Sequence, residues 1–183
     1  MVYLPSDDSY ILQKWVEKLA RGYVLDMGTG TGVQAFTALP KAKKVLAVDR
    51  DPKAVKYVKN ALIFHDTEKI EVRESRLFDK IQKSEKFDTI IFNPPYLPES
   101  KYDKGIDTTG GKEGWETIAE FLEQAKSHLK KDGQILMVFS SLTKKDKVLE
   151  IAEKEGYESE LLQKKHVSFE DLLVYRFWLK QSN

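Results

Sequence analysis

The four residues Asn93-Pro94-Pro95-Tyr96 combine an amide side chain, two prolines and an aromatic ring, directly after the apolar run Phe87 to Phe92. Proline donates no backbone hydrogen bond, and two in succession exclude both helix and strand ladder. What remains is a stiff loop with outward carbonyls, one amide and one ring. Such a loop is suited to holding a planar group that bears nitrogen. A second cluster, Asp26-Met27-Gly28-Thr29-Gly30-Thr31-Gly32, lies where the short apolar stretch Tyr23 to Met27 gives way to a helical pattern. Glycines permit a tight turn and close approach of a ligand, and the helix behind them offers unpaired N–H groups. The spacing departs from the dinucleotide fingerprint, because Val33 stands where that pattern wants its last glycine. Asp26 can accept from backbone N–H groups or reach a ligand ammonium. The next apolar stretch ends in Val48-Asp49-Arg50-Asp51. Asp49 at its tip can accept two ribose hydroxyls, whereas Asp51, directly before Pro52, is better placed to cap a helix.

Elements of alternating type position these clusters. Ser6 to Ala20 puts Ile11, Leu12, Trp15, Val16 and Leu19 on one helical face, with Ser6 or Asp7 as a cap. Tyr23 to Met27 predicts a strand, Thr31 to Leu39 a helix, and Val45 to Val48 a second strand. Pro52 then opens a helix that carries Val55, Val58, Ala61 and Leu62 inward. Ile70 to Val72 and Phe87 to Phe92 are the third and fourth strands. After a long polar loop from Leu97 to Gly114, a helical stripe runs Trp115, Ile118, Leu122, Ala125, Leu129, and Lys131-Asp132-Gly133 stops it. Gln134 to Ser140 is a fifth strand and Lys144 to Lys154 a charged helix. Two strand-like runs close the chain, near Glu160 to Val167 and Leu172 to Leu179. Short buried strands alternating with helices imply an α/β architecture: a Rossmann-like, mostly parallel sheet with helices on both faces. The last two strands lack a helix between them, so they form a terminal antiparallel hairpin and bring the sheet to seven strands.

The chain has 183 residues, of which 41% are hydrophobic and 32% charged, as expected of a single globular domain over 1–183. Thirty basic residues against 29 acidic ones give a net charge of +1, which argues against a broad footprint for nucleic acid. No apolar stretch approaches membrane-spanning length and the N-terminus lacks a signal pattern, so a cytoplasmic protein is expected. The absence of cysteine excludes disulfides, a cysteine-ligated metal and a cysteine nucleophile. His65, His128 and His166 fall on separate elements and predict no metal site.

Taken together, Asp-x-Gly-x-Gly-x-Gly and an acid ending the second strand resemble the S-adenosylmethionine site of class I methyltransferases. Asn-Pro-Pro-Tyr after the fourth strand resembles the mark of those that methylate nitrogen on planar groups. Pro5-Ser6-Asp7-Asp8-Ser9-Tyr10 with Leu12, and Gly110-Gly111-Lys112-Glu113-Gly114, resemble segments of the short archaeal and eukaryotic HemK-like release-factor glutamine methyltransferases. The bacterial type carries an extra N-terminal helical domain, so the shorter type is the expected match. The resemblance implies S-adenosyl-L-methionine as cofactor and a translation release factor as substrate. It also implies a small zinc-binding activator protein pairing at Ile70-Glu71-Val72-Arg73, the third strand, which lies at the sheet edge in the usual order of this fold. It places Asp8, Ser9, Asp26, Gly28, Gly30, Gly32, Asp49 and Arg50 around the cofactor, with Asp8 and Ser9 near the methionine end. Relatives often carry Asp after the third strand. Glu74-Ser75-Arg76-Leu77-Phe78 has none, so Arg76 or its backbone is expected at the adenine edge.

An amide nitrogen is a poor nucleophile. The Asn93 side-chain oxygen and the Pro94 carbonyl could each accept one of its N–H groups, orient it and stabilise the charge growing on it. Tyr96 would stack on the planar amide, and Pro95 completes the stiff loop. Without cysteine, the covalent route to carbon-5 of pyrimidines is closed. An exocyclic base nitrogen in rRNA, tRNA or DNA adenine would ask for the same clamp, and a non-catalytic cofactor-binding subunit of a heterodimer is the alternative of another class.

Overall fold

The computed structural model describes residues 2–65, 67–96 and 111–181. Seven strands form one sheet: β1 (Gly22–Met27), β2 (Ala42–Asp49), β3 (Ile70–Glu74), β4 (Phe87–Phe92), β5 (Leu129–Ser140), β6 (Tyr157–Val167) and β7 (Glu170–Leu179). Their order is β3-β2-β1-β4-β5-β7-β6. The first five run parallel, and β7 is antiparallel to both β5 and β6. The terminal hairpin is therefore present, and β3 lies at an edge as expected.

Both faces of the central strands are apolar, since successive side chains point to opposite sides. Val24, Val45, Ala47, Ile91 and Leu136 face one core, shared with α1 (Asp7–Leu19) and α2 (Val33–Ala38) through Leu12, Val16, Ala35 and Ala38. Leu25, Leu46, Val48, Ile90 and Met137 face the other, under Ile118, Phe121 and Leu122 of α4 (Glu116–Ala125) and Val148 of α5 (Lys145–Lys154). Helix α3 (Pro52–Leu62) starts as anticipated. Asp51 caps it by accepting from Lys53 N at 2.8 Å, with Pro52 in the first turn.

The largest departure from the expected boundaries lies between α4 and β5. Helix α4 ends at Ala125, and Leu129 is not its last buried residue but the first of β5, opposite Phe87. Because Phe87 pairs with Leu129 and Thr89 with Gln134, the strand bulges between them, and Lys131-Asp132-Gly133 lies in that bulge. The His128 carbonyl accepts from Phe87 N at 2.8 Å and forces the early entry into the sheet. Two of the histidines pack against rings, while His166 is exposed beside Asp171. His128 stacks on Phe78 and reaches the Glu85 carbonyl, while His65 stacks on Phe36. Among the described residues there is no group of side chains that could hold a metal ion, and no helix is long and apolar enough to cross a membrane. The predicted loop from Leu97 lies outside the described residues through Gly110.

The chain leaves β1 toward β2 and β3 on one side, and β4 lies on the other. In open α/β sheets this switch point opens a crevice beyond the strand carboxyl ends. Gly28, Asp49, Ser75 and Asn93 each follow or end one of the four strands that meet there.

Candidate active site

A cavity fills that crevice. Its lining includes Asp8, Gly28, Gly30, Asp49, Arg50 and Arg76, and all four of Asn93, Pro94, Pro95 and Tyr96. Ser9, Asp26 and Gly32 stand behind the wall rather than in it. The turn after β1 is built for close approach. Gly28 and Gly30 have φ of 64° and 55°, a left-handed backbone in which a side chain would be strained. Gly32, at φ 84°, precedes α2 and packs against the Phe36 ring.

Asp26 holds this turn from beneath. Its Oδ2 accepts from Thr29 Oγ1 at 2.6 Å and Ala35 N at 3.0 Å, stapling both ends of the glycine segment. Burial pushes its carboxyl up to about 7, against the opposing effect of those two bonds. Asp49 does the same from the side, with Oδ2 accepting from Gly30 N and Oδ1 from Asp51 N, both at 2.9 Å. Burial raises the Asp49 carboxyl as well. Each of its oxygens has two lone pairs and one backbone donor, so each can still accept a ligand hydroxyl.

Beyond Asp49 the wall turns apolar, with Ala54, Leu77 and Phe92 lining the cavity beside Ser75. Leu77 has φ 42°, and the Ser75 hydroxyl ties this turn by donating to the Leu77 carbonyl at 2.9 Å and accepting from Lys80 N at 3.0 Å. Of the two Arg76 groups expected at the adenine edge, the guanidinium has a partner on α4. It forms a fork with the Glu120 carboxylate, at 2.7 and 2.5 Å, and Arg76 lines the cavity.

On the β4 side the polar groups converge on α1. Asn93 Nδ2 donates to Ser9 Oγ at 3.3 Å, while Asn93 Oδ1 is buried without a partner among the described residues. Tyr96 Oη donates to Asp8 Oδ2 at 3.0 Å. Its ring is half-buried against both cores, and its carbonyl accepts from Thr143 Oγ1 at 3.0 Å. Burial, followed by the charge of Asp8, raises the Tyr96 phenol well above its ordinary value. Asp8 also accepts from Tyr3 Oη at 2.9 Å, Ser6 Oγ at 2.8 Å and Ser9 N at 2.5 Å. Tyr3 lines the cavity and escaped the sequence reading, as did Thr117. Burial is the main reason its phenol is pushed up to about 12. Neither residue belongs to a spaced motif, and only the folded chain brings them to the crevice.

The strand order, the final antiparallel pair and the glycine turn at the switch point define a class I methyltransferase fold. The chain belongs to the methyltransferase small domain family, whose model matches residues 7–165. A Methanocaldococcus jannaschii protein provisionally named a protein N5-glutamine methyltransferase is 36% identical, the match covering 97% of this chain and 91% of the relative. The release factor glutamine methyltransferase of Aquifex aeolicus is 29% identical over 84% of this chain, which spans only 58% of that relative. Among solved structures, the E. cuniculi Mtq2–Trm112 complex, responsible for methylation of the termination factor eRF1, matches with a TM-score of 0.79 at 23% identity. That match covers 97% of this chain and 98% of its counterpart and supports the fold. The chain is thus a methyltransferase, in line with the resemblance drawn from its motifs.

Proposed function

We propose that the protein transfers a methyl group from S-adenosyl-L-methionine to the side-chain amide nitrogen of a glutamine in a translation release factor. The carrying observation is Asn93 Oδ1, a buried acceptor in the wall of the cavity without a partner among the described residues. A buried carbonyl left bare is costly, and a substrate N–H would satisfy it. The names of the M. jannaschii and A. aeolicus relatives support glutamine as the target.

The residues present suit the cofactor. Asp49 would accept the ribose hydroxyls, Gly28 and Gly30 would admit the chain of the molecule against the backbone, and Ala54, Leu77 and Phe92 would flank the adenine. Arg50 and the Arg76 backbone complete this side. Asp26 and Gly32 shape the turn from behind. When bound, the cofactor supplies an electrophilic methyl group on a sulfonium centre.

Asn93 Oδ1 would take one N–H of the glutamine amide and the Pro94 carbonyl the other. With both N–H directions fixed, the nitrogen faces the cofactor, and alignment contributes much of the rate. The two acceptors also stabilise positive charge as it grows on nitrogen. Pro95 keeps the carbonyls in place, and the Tyr96 ring forms the platform beneath the amide. Asn93 cannot ionise, so the departing proton passes to solvent.

A small partner protein at the β3 edge is part of the proposal. Ile70 to Glu74 is an edge strand whose free side can pair with another chain, and the Mtq2–Trm112 complex is a fold relative that works with a partner. A zinc-binding partner would be of the expected kind. A protein target is favoured over nucleic acid by the surface lysines, several of which are matched. Lys144 pairs with Glu113, Lys147 with Glu150, Lys164 with Asp171 and Lys165 with Asp7. A release-factor substrate implies a cytoplasmic protein.

Labelled-methyl transfer to release factor, RNA and DNA side by side, with and without a candidate partner, tests this function. Label is expected in the release factor alone. Label in RNA or DNA with none in protein would refute it.

A further inference from the structure

We propose that Ser9 and Asp8 are positioning residues that decide which way the Asn93 side-chain amide faces. This rests on the proposed role of Asn93 as acceptor for the substrate amide. A carboxamide is nearly symmetric in shape, and turning it over replaces an acceptor by a donor. Asn93 can serve as acceptor only if something holds its NH2 group away from the substrate.

Ser9 does this with a single proton. A hydroxyl has one O–H to give and lone pairs to offer. The Ser9 proton is directed to Asp8 Oδ1, 3.1 Å away. Ser9 therefore presents a lone pair to Asn93, and Asn93 Nδ2 donates into it at 3.3 Å. The reversed amide would set Oδ1 against another oxygen with no proton between them. The NH2 group is thus held on Ser9, and Oδ1 is the atom without a partner among the described residues.

Asp8 secures the direction of this relay. It accepts from Tyr3, Ser6, Ser9 N and Tyr96 as well as from the Ser9 hydroxyl, so it faces donors on every recorded side. The Ser9 proton has no reason to turn toward Asn93. Ser9 is 2% and Asp8 3% exposed, so water does not readily take either place. Gln34 Nε2 donates to the Ser9 carbonyl at 2.9 Å and fixes the first turn of α1 against α2. Ser9 lies outside the cavity lining, so its effect reaches the substrate through Asn93. Asp8, which does line it, additionally fixes the Tyr96 hydroxyl. Both ends of the Asn93–Tyr96 segment are thereby registered on α1, and a residue pair 84 positions apart in the chain becomes one device.

The test compares Ser9→Ala and Ser9→Thr with the unmodified protein. It measures kcat and KM on a glutamine-bearing release factor, S-adenosylmethionine affinity by calorimetry, and the Asn93 side-chain 1H–15N resonances. Loss of one buried hydrogen bond should lower kcat of Ser9→Ala roughly 10- to 100-fold. Cofactor affinity should stay within about threefold, since it does not depend on the amide's direction. Ser9→Thr keeps the hydroxyl and should restore kcat. A nuclear Overhauser contact from the Asn93 NH2 protons to the β-proton of residue 9 is expected in the unmodified protein and in Ser9→Thr. Unchanged kcat in Ser9→Ala, a Ser9→Thr variant as slow as Ser9→Ala, or cofactor affinity falling in step with kcat would each overturn the proposal. If the unmodified protein methylates no glutamine, the proposed function falls instead. The resonance measurement needs no substrate and still decides the relay, because Asn93 Oδ1 rather than its NH2 facing Ser9 would refute it.

Discussion

The two walls of the crevice are built on different principles. On the side of β1 and β2, backbone donors meet a carboxylate: Gly30 N and Asp51 N on Asp49, Ala35 N on Asp26. On the side of β4, side chains from the N-terminal segment and the end of β4 meet each other: Asn93 on Ser9 and Tyr96 on Asp8, with Tyr3 joining Asp8. The first wall is a local turn with fixed shape. The second is a network whose geometry depends on how α1 docks against the end of β4. Cofactor binding and substrate orientation should therefore be separable by mutation.

Asn93→Ala should show the largest effect. Removing one positioned hydrogen-bonding group of this kind costs roughly 100- to 1,000-fold in kcat, whereas calorimetry should find cofactor affinity within a few fold. A parallel loss of affinity would mean that the walls are not independent. Asp49→Ala is the mirror experiment. It leaves Gly30 N and Asp51 N without their acceptor and removes the ribose partner, and cofactor affinity should fall about 10- to 100-fold on the scale of charged hydrogen bonds. At saturating cofactor, kcat should recover most of its value.

Asp26 tests the local wall through pH. Its carboxyl is raised to about 7 in the folded protein from 3.8 as a free group. Between those values the native state keeps a proton that the unfolded chain has released. Its contribution to stability is therefore complete below the lower value and is lost as pH rises through about 7. Denaturant titrations should show stability declining over that window, and Asp26→Asn should flatten the decline. Arg76→Ala should have the smallest effect. Its guanidinium is committed to Glu120 at the surface, and an exposed pair contributes only about 0–1 kcal/mol. Cofactor affinity should change by less than about threefold, while a larger loss would put the side chain on the adenine after all.

The same division explains what could be read from the chain. The glycine turn, Asp49 at the tip of β2 and the Asp51 cap were legible because each belongs to a short contiguous motif at the end of an apolar stretch. The parallel sheet and its terminal hairpin were legible from the alternation of buried strands and helices. The bulge in β5 was not, since Leu129 fits a helical stripe as well as a strand and only pairing with Phe87 decides between them. Nor was the fate of Arg76, whose partner lies 44 positions away on α4. The fivefold loading of Asp8 was hidden as well: Tyr3, Ser6 and Ser9 are near it in the chain but form no spaced motif, and the Tyr96 hydroxyl arrives from 88 positions away only once α1 has docked.

The central claim is that the β4 wall holds a glutamine amide by its nitrogen. Tandem mass spectrometry of a release factor, after incubation with the protein and S-adenosylmethionine, tests it most directly. The account predicts a single methyl group on the side-chain nitrogen of one glutamine, absent when Asn93→Ala replaces the unmodified protein. A methyl group on lysine, or on glutamine with the Asn93→Ala variant fully active, would contradict it.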